Sequence, residues 1–176
     1  MLDSDDYFNK EKIEKIVDYF ENNKKAKIVF DYPLIVENNN VFSDKTKNKI
    51  FKTYWPYIHP TSCISLKREF FKNLIENKIL DKYPLLEIDF RITILSRMID
   101  KKFIYMNENH TIYRQVPDGI MGKIKKFSYL WWKKRFQAHS YLEHVFNTNN
   151  LDYKRNVDYY LSKLVFNLMK IFNIKK

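Results

Sequence analysis

Apolar residues recur with two different periods along this chain, and the alternation between them predicts a mixed α/β protein. The helical period appears first in KEKIEKIVDYF, where apolar residues repeat three and four positions apart: Ile13, Ile16, Val17 and Phe20. It returns in KREFFKNLIENKI and in EIDFRITILSRMIDK. Between and after these segments lie short runs that are rich in β-branched and aromatic residues, namely AKIVFDY, CISL, KFIYMN and HTIYR. Such runs are typical of strands.

Two longer helical segments are predicted after this alternating part, over residues 123–146 and 156–172. The second carries an apolar stripe: Val157, Leu161, Leu164, Leu168 and Ile171. Proline and polar runs predict the breaks. Pro33 is expected to end the first strand, and ENNNVFSDKTKNK (37–49) is expected to be a surface loop. The sequence therefore predicts an α/β portion over residues 1–122 and a helical tail over residues 123–176.

The composition is that of a folded, strongly basic chain. Of its 176 residues, 45% are hydrophobic and 17% aromatic, and the formal net charge is +11. This balance favours polyanionic partners such as nucleic acid, anionic lipid or phosphorylated substrates. Compositional drift towards Lys and Asn explains the charge equally well. The only glycines are Gly119 and Gly122, which excludes a Walker loop and a GxGxxG fingerprint.

The same sequence gives indications of compartment. The single cysteine, Cys63, excludes an internal disulfide and a CxxC metal site, and it suits a reducing compartment. No run of about 18 uncharged apolar residues is present, so we expect no transmembrane helix. The acidic start does not look like a signal peptide. We expect a cytoplasmic protein, peripheral at the inner face of a membrane.

An acidic cluster opens the chain in MLDSDDYF, with carboxylates at Asp3, Asp5 and Asp6. One interpretation is a solvated end whose negative charge favours the helix that follows. The other is a divalent-metal site, because Mg²⁺ and Mn²⁺ prefer carboxylate oxygens, often one or two of them together with substrate phosphates. The cluster alone does not decide between the two.

Later stretches favour the second interpretation by their order. PTSCISLKREFF follows the acidic cluster, then LLEIDFRITIL, then HTIYRQ. This order resembles the family 2 glycosyltransferases of the GT-A fold, over residues 1 to about 122. The resemblance implies a partial GT-A-like domain with a mixed sheet, followed by carboxyl-terminal helices. It also implies that the stretch from Thr61 to Phe71 shapes the acceptor side.

The resemblance implies a role for each acidic motif residue. Asp5 and Asp3 would hold a divalent metal ion, Mn²⁺ or Mg²⁺. Asp3, Asp6 and Arg114 would bind the nucleotide sugar, since guanidinium suits phosphate geometry. Asp89 would be the catalytic base that takes the proton of the acceptor hydroxyl. Without the resemblance, Asp89 would be read as a helix N-cap and Arg114 as a surface strand charge.

The chain departs from the family pattern at two of these motifs. Ile88 stands where the family often has Glu, so Glu87 is an alternative carrier of the base role. Val116 stands where a His is common, so any metal ligand from that position is lost. In addition, the family binds the nucleotide base with a portion that precedes the acidic motif. We therefore expect a truncated chain with weak or no turnover alone, and a separately encoded amino-terminal half as a partner.

The reaction that the resemblance implies is metal-dependent, inverting transfer of a sugar from a nucleotide-sugar donor to a surface-glycan or lipid-linked acceptor.

In the tail, FSYLWWKKRF mixes aromatic and basic residues, which suits an anionic bilayer surface. Packing of two helices with solvated lysines is the alternative. The alternative function is a non-catalytic, basic and aromatic nucleic-acid-binding module. Aromatic residues at core spacing and the lack of an RNA-binding motif argue against it. An inactive remnant is a third reading.

Overall fold

A computed structural model describes residues 5–37, 40–43, 58–76, 82–99, 105–114 and 124–174. The chain divides into two compact units. Unit 1 comprises Met1–Lys82 and Ile88–Val116, and unit 2 comprises Tyr83–Glu87 and Pro117–Lys176. The described residues form a mixed α/β protein with a mixed sheet and carboxyl-terminal helices. The coarse fold class is therefore confirmed, whereas the boundary at residue 122 stays a prediction.

Unit 1 contains six short strands and three helices within its described residues. They are, in chain order, β1 (Tyr7–Phe8), α1 (Lys12–Asn22), β2 (Ile28–Phe30), β3 (Pro33–Glu37), β4 (Asn40–Ser43), β5 (Ile64–Leu66), α2 (Arg68–Glu76), α3 (Ile88–Ile99) and β6 (Thr111–Arg114). Four strands form a sheet in the order β1-β6-β3-β4. In it, β6 runs parallel to β3, and the other two pairs are antiparallel. A separate antiparallel pair joins β2 to β5.

The core of unit 1 is built from the strands and helices that the apolar pattern predicts. Val29 and Phe30 of β2, Ile64 of β5, and Ile92 and Ile94 of α3 are at most 1% exposed. Full burial of such a side chain stabilises the fold by about 1.5–3 kcal/mol. A helix is confirmed within each of the predicted segments 10–20, 67–79 and 87–101, and a strand within AKIVFDY, CISL and HTIYR. Residues 77–79 and 100–101 of these predictions lie outside the described residues.

The prediction for the segment after β2 was wrong. The first strand, β2, does end before Pro33, but Pro33 opens a second strand, β3, and β4 follows within the stretch expected to be a loop. The reason is physical: proline is tolerated as the first residue of a strand, where its missing N–H does least harm. The β3–β4 register pairs Val36 with Val41. Residues 38–39 and 44–49 of the predicted loop lie outside the described residues, as does the first half of KFIYMN, residues 102–104.

Unit 2 contains two helices that pack against each other, α4 (Tyr129–Thr148) and α5 (Val157–Ile171). They run antiparallel, because Arg135 near the start of α4 bonds Asp158 early in α5, while Tyr129 contacts Phe166 further along α5. The prediction that the first helix starts at residue 123 was wrong. Phe127 has a positive φ of 63°, and Ser128 then caps α4 by accepting a hydrogen bond from the Trp131 N–H.

A buried histidine joins the two helices of unit 2. The His139 ring is fully buried, with Nε2 2.8 Å from Asp158 Oδ2 and Nδ1 3.0 Å from the Tyr153 hydroxyl. Arg135 donates two hydrogen bonds to the same carboxylate, at 2.9 and 2.8 Å. A neutral imidazole satisfies both contacts by donating to the carboxylate and accepting from the hydroxyl.

Within the described ranges, each helix is too short or too polar to cross a bilayer.

Unit 2 should lose stability as the pH falls. Burial lowers the pKa of His139 below its ordinary 6.5, although the hydrogen bond to Asp158 opposes the shift. Burial raises the pKa of Asp158, but the hydrogen bonds from Arg135 and His139 outweigh it and leave that pKa below its ordinary 3.8. Both groups therefore bind fewer protons when folded, so the unfolding free energy is complete above pH 6.5 and falls below it, first through His139 and then through Asp158.

The measurement is denaturant unfolding of the chain at a series of pH values, compared with the His139→Gln variant. Glutamine keeps one donor and one acceptor but does not titrate. We expect the variant to show a shallower loss of stability below pH 6.5. An identical pH dependence in both proteins would contradict the assignment.

Candidate functional site

The acidic segment lies against the end of β6. Residues 7 and 8 pair with Ile112 and Thr111 in an antiparallel register. One step further along, the Arg114 N–H donates to Asp6 Oδ1 at 3.1 Å, and Arg114 Nε donates to the carbonyl of Asp5. Asp6 and Arg114 are 108 positions apart in sequence. The structure thus brings together three of the five site residues that the sequence predicted, namely Asp5, Asp6 and Arg114.

Asp6 carries a polar atom without a protein partner. The residue is only 6% exposed, and its Oδ2 has no hydrogen-bond partner among the described residues. Burial of a carboxylate oxygen without a compensating interaction is costly, and nearly all buried polar atoms in proteins are satisfied. The orphaned oxygen is therefore a place where a ligand would supply the missing interaction.

Arg114 is exposed but anchored at this position. Its backbone is held by Asp6, its side chain bonds the Asp5 carbonyl, and its guanidinium carbon lies 5.9 Å from the centre of the Tyr7 ring. The guanidinium is thus fixed on the Asp5 carbonyl, while Asp6 bonds the backbone N–H of the same arginine. The pair can bind a cation at the carboxylate and a phosphate group at the arginine.

The residues in this place fit a hard divalent cation. Among the residues that the structure describes, no three His, Cys, Asp or Glu side chains form a metal-binding group, and Asp3 lies outside those residues. A Mg²⁺ or Mn²⁺ ion, however, is commonly held by one or two carboxylates together with substrate phosphates. The orphaned Oδ2 of Asp6 meets this requirement. It belongs to the residue that the sequence assigned to the nucleotide sugar rather than to the metal.

Asp89 lies in the first turn of α3, in the same unit as Asp6. Its Oδ1 accepts a hydrogen bond from the Phe90 N–H at 2.6 Å. The helix begins at Ile88, so Asp89 is one position inside the helix and is not the residue that precedes it. Glu87, the alternative base, belongs to unit 2, where it forms an ion pair with Lys134. The convergence of Asp89 on Asp5 and Arg114 stays a prediction.

The expected acceptor motif forms a 3₁₀ turn at Thr61–Cys63, then β5 and α2. Ser62, Cys63 and Ile64 have no exposed surface. Burial raises the pKa of the Cys63 thiol well above its usual range, and the nearby Asp31 carboxylate raises it further. The thiol is therefore protonated at neutral pH, and a buried thiol of this kind is inert rather than nucleophilic.

A buried lysine holds this region together, and no sequence pattern predicted it. Lys12 is 1% exposed, and its Nζ donates to Asp31 Oδ1 (3.0 Å), to the Ser62 carbonyl (2.7 Å) and to Thr111 Oγ1. It also lies 3.9 Å from the centre of the Phe8 ring. In turn, Thr111 Oγ1 donates to Asp31 Oδ2 at 2.7 Å. We call Lys12, Asp31, Ser62 and Thr111 the lysine network.

The lysine network positions the candidate site. It joins α1, the residue after β2, the 3₁₀ turn and the first residue of β6. Arg114 lies three residues along the same strand from Thr111, so the network fixes the strand that presents Arg114 to Asp6. No local signal predicted this, because lysine is rarely buried and its partners here lie 19 to 99 positions away.

The tail carries the aromatic and basic residues that the sequence singled out. Phe127, Trp131 and Trp132 form one cluster, with ring centres 4.7–6.3 Å apart. The Lys126 ammonium lies 5.2 Å from the Phe127 ring, and the Arg135 guanidinium lies 5.1 Å from the Trp131 ring. Such pairs of cation and aromatic ring are attractive.

The chemistry of the candidate site rests on its geometry alone. No protein-family model, curated protein or solved structure matches the chain. What the described residues provide is a buried carboxylate with one unused oxygen, and an arginine whose backbone bonds that carboxylate and whose guanidinium is anchored on the Asp5 carbonyl. A second carboxylate lies at a helix start in the same unit. This set is suited to binding a cation and a phosphorylated ligand.

Proposed function

We propose that the chain is part of a metal-dependent, inverting glycosyltransferase that resembles family 2 of the GT-A fold. It would transfer a sugar from a nucleotide-sugar donor to a surface-glycan or lipid-linked acceptor. The observation that carries the proposal is the contact between Asp6 and Arg114, since it joins the acidic motif to the late strand that the family resemblance pairs with it. The order of the motifs between them supports the same assignment.

The donor would be held through its diphosphate. Asp6 Oδ2 is buried and has no partner among the described residues, so it is the carboxylate atom best prepared to bind a cation. Asp5 and Asp3 would supply the other carboxylates that hold the metal ion. Arg114 would contact phosphate oxygens, for which its planar donors are well matched. A bound Mn²⁺ or Mg²⁺ ion would neutralise the charge that develops on the leaving diphosphate.

Asp89 would act on the acceptor. Its carboxylate would take the proton from the acceptor hydroxyl as that oxygen attacks the sugar, which is the task of a general base. Its position in the first turn of α3 is one where a negative charge is favourable. The Phe90 N–H bonds one carboxylate oxygen, which fixes the orientation of the group.

The test is Mn²⁺-dependent release of nucleoside diphosphate across a panel of sugar nucleotides. It is run with residues 1–176 alone and with the same residues supplied with a nucleotide-binding portion, fused or co-expressed. In the active form, Asp6→Asn should raise the Mn²⁺ concentration for half-maximal rate by at least about tenfold, since even indirect metal contacts have effects of this size. Asp18→Asn, an exposed change on α1, is the matched control.

Metal binding is also measured directly, by titrating the chain with Mn²⁺ and following the signal of the free ion by electron paramagnetic resonance. We expect Asp6→Asn to weaken binding and Asp18→Asn to leave it unchanged. If no donor is turned over by either form and the affinity for Mn²⁺ is the same with Asp6→Asn as without it, the proposal is wrong. That result would favour the nucleic-acid-binding alternative.

A further inference from the structure

The apolar stripe of α5 faces outward. Six side chains along one side of this helix and its end are between 43% and 84% exposed: Val157, Leu161, Leu164, Leu168, Ile171 and Phe172. Their spacing of four and three residues places the first five on a single face over the full length of α5. A continuous exposed apolar face of this length marks an interaction surface rather than scattered surface residues.

The stripe faces outward because another face of α5 already packs against α4. Tyr159 and Ser162 are buried, and the Phe166 ring stacks on Phe136 of α4 at 5.7 Å. Asp158 is fixed by Arg135 and His139, as described above. These contacts hold the helix by one side and leave the stripe exposed on another side.

The sequence that contains α4 and α5 is strongly basic. Residues 123–176 contain 12 Lys and Arg against 3 Asp and Glu, a balance of +9. Lys163 and Lys170 are on α5 itself, outside the stripe. Because the helices are antiparallel, the start of α4 lies beside the end of α5, and it adds two exposed apolar side chains there, Phe127 at 60% and Leu130 at 48%.

We propose that the outward face of α5 inserts into the interface of an anionic bilayer, with the helix lying in the membrane plane. An in-plane helix needs an apolar face along its whole length and cations beside it, and α5 has both. The lysines of α4 and α5 would contact the lipid headgroups. The inference holds for the chain whether or not it transfers sugar, because it concerns unit 2 alone.

A second copy of the chain is a less suitable partner for the outward face of α5. The stripe covers only the 15 residues of α5, about two heptads, whereas a paired coiled coil needs three to four. Two copies would also bring two basic surfaces together, which is repulsive. An anionic surface complements the same charge. Self-association is therefore kept as an outcome of the test.

The test is sedimentation of the full chain with vesicles of phosphatidylcholine alone or mixed with phosphatidylserine. We expect binding to the anionic vesicles that weakens in high salt. Leu164→Gln/Leu168→Gln should reduce the affinity for the vesicles about tenfold or more, because two leucine side chains that would be buried in lipid are lost. Ile75→Gln/Leu151→Gln removes two apolar side chains of similar exposure, 53% and 40%, outside the stripe, and should leave binding unchanged.

The orientation of α5 is measured with spin labels. Cys63 is fully buried and protonated, so a label attaches to an introduced exposed cysteine. A label at Leu164→Cys should become accessible to oxygen in the bilayer, and one at Lys154→Cys should remain in water. The proposal is overturned by equal or absent binding to both vesicle types, by unchanged binding in Leu164→Gln/Leu168→Gln, or by concentration-dependent dimers that this variant abolishes in a chain that does not bind vesicles.

Discussion

Replacement of Lys12 by methionine should lower the free energy of unfolding by about 3–5 kcal/mol, the usual cost of removing one partner from a buried ion pair. The change leaves the Asp31 carboxylate at the centre of unit 1 without its cation and the Ser62 carbonyl without its lysine donor. Since domains of this size are stable by only about 5–15 kcal/mol, the variant should be close to unfolding at 37 °C.

Two comparisons isolate this effect in denaturant unfolding. Lys10→Met makes the same chemical change at an exposed position two residues away and should shift stability by less than about 0.5 kcal/mol. Lys12→Met combined with Asp31→Leu removes both charges and should cost less than the sum of the single changes, because no uncompensated ion remains. A Lys12→Met protein as stable as the wild type would show that the lysine network is not formed.

Asp89→Asn should reduce kcat in the active form of the protein by about 10²–10⁴-fold, the usual contribution of a positioned general base. Asparagine keeps the size and one oxygen acceptor of the side chain but cannot take a proton. The KM for the donor should change little, since the donor is assigned to Asp6 and Arg114. The measurement is steady-state transfer at saturating acceptor.

A purely structural role for Asp89 predicts a different pattern. The loss of one carboxylate from a helix first turn costs about 0.3–1 kcal/mol of stability and leaves kcat near its original value. Thermal unfolding and kcat are therefore measured on the same samples, with Asp18→Asn as the control. A variant that is less stable but retains most of its turnover would make Asp89 a helix-start residue and not a base.

Much of the local structure was predictable, because periodicity is a local property. The segments that became α1, α2, α3 and α5 all carry apolar residues at helical spacing, and no tertiary contact was needed to find them. The late start of α4 was also within reach. Ser128 is a residue type preferred at helix N-caps, and in the structure its hydroxyl accepts a hydrogen bond from the Trp131 N–H. A serine at this position therefore indicates the helix start that the pattern of KIKKF obscures.

What could not be predicted depends on side chains that meet from distant positions. In α1 the apolar residues Ile13 and Val17 are 61% and 48% exposed, whereas Lys12 is buried. The pattern showed that a helix forms but not which side it buries, because Asp31 and Thr111 draw the lysine inward. Similarly, the stripe on α5 predicted a helix, yet its outward direction follows from the contacts that Tyr159, Phe166 and Asp158 make with α4.

The lysine network also has a consequence for the order in which unit 1 folds. Its members lie at positions 12, 31, 62 and 111, and β1 pairs with β6 across about 100 residues. During synthesis, β2 and β5 can pair as soon as Leu66 has left the ribosome, but the Lys12 ammonium must wait for Thr111 to arrive. Contacts of such large sequence separation are the slow ones in folding. The candidate site should therefore be among the last parts of unit 1 to form, and a chain whose synthesis stops before residue 111 should hold Lys12 and Asp31 without the strand that closes over them.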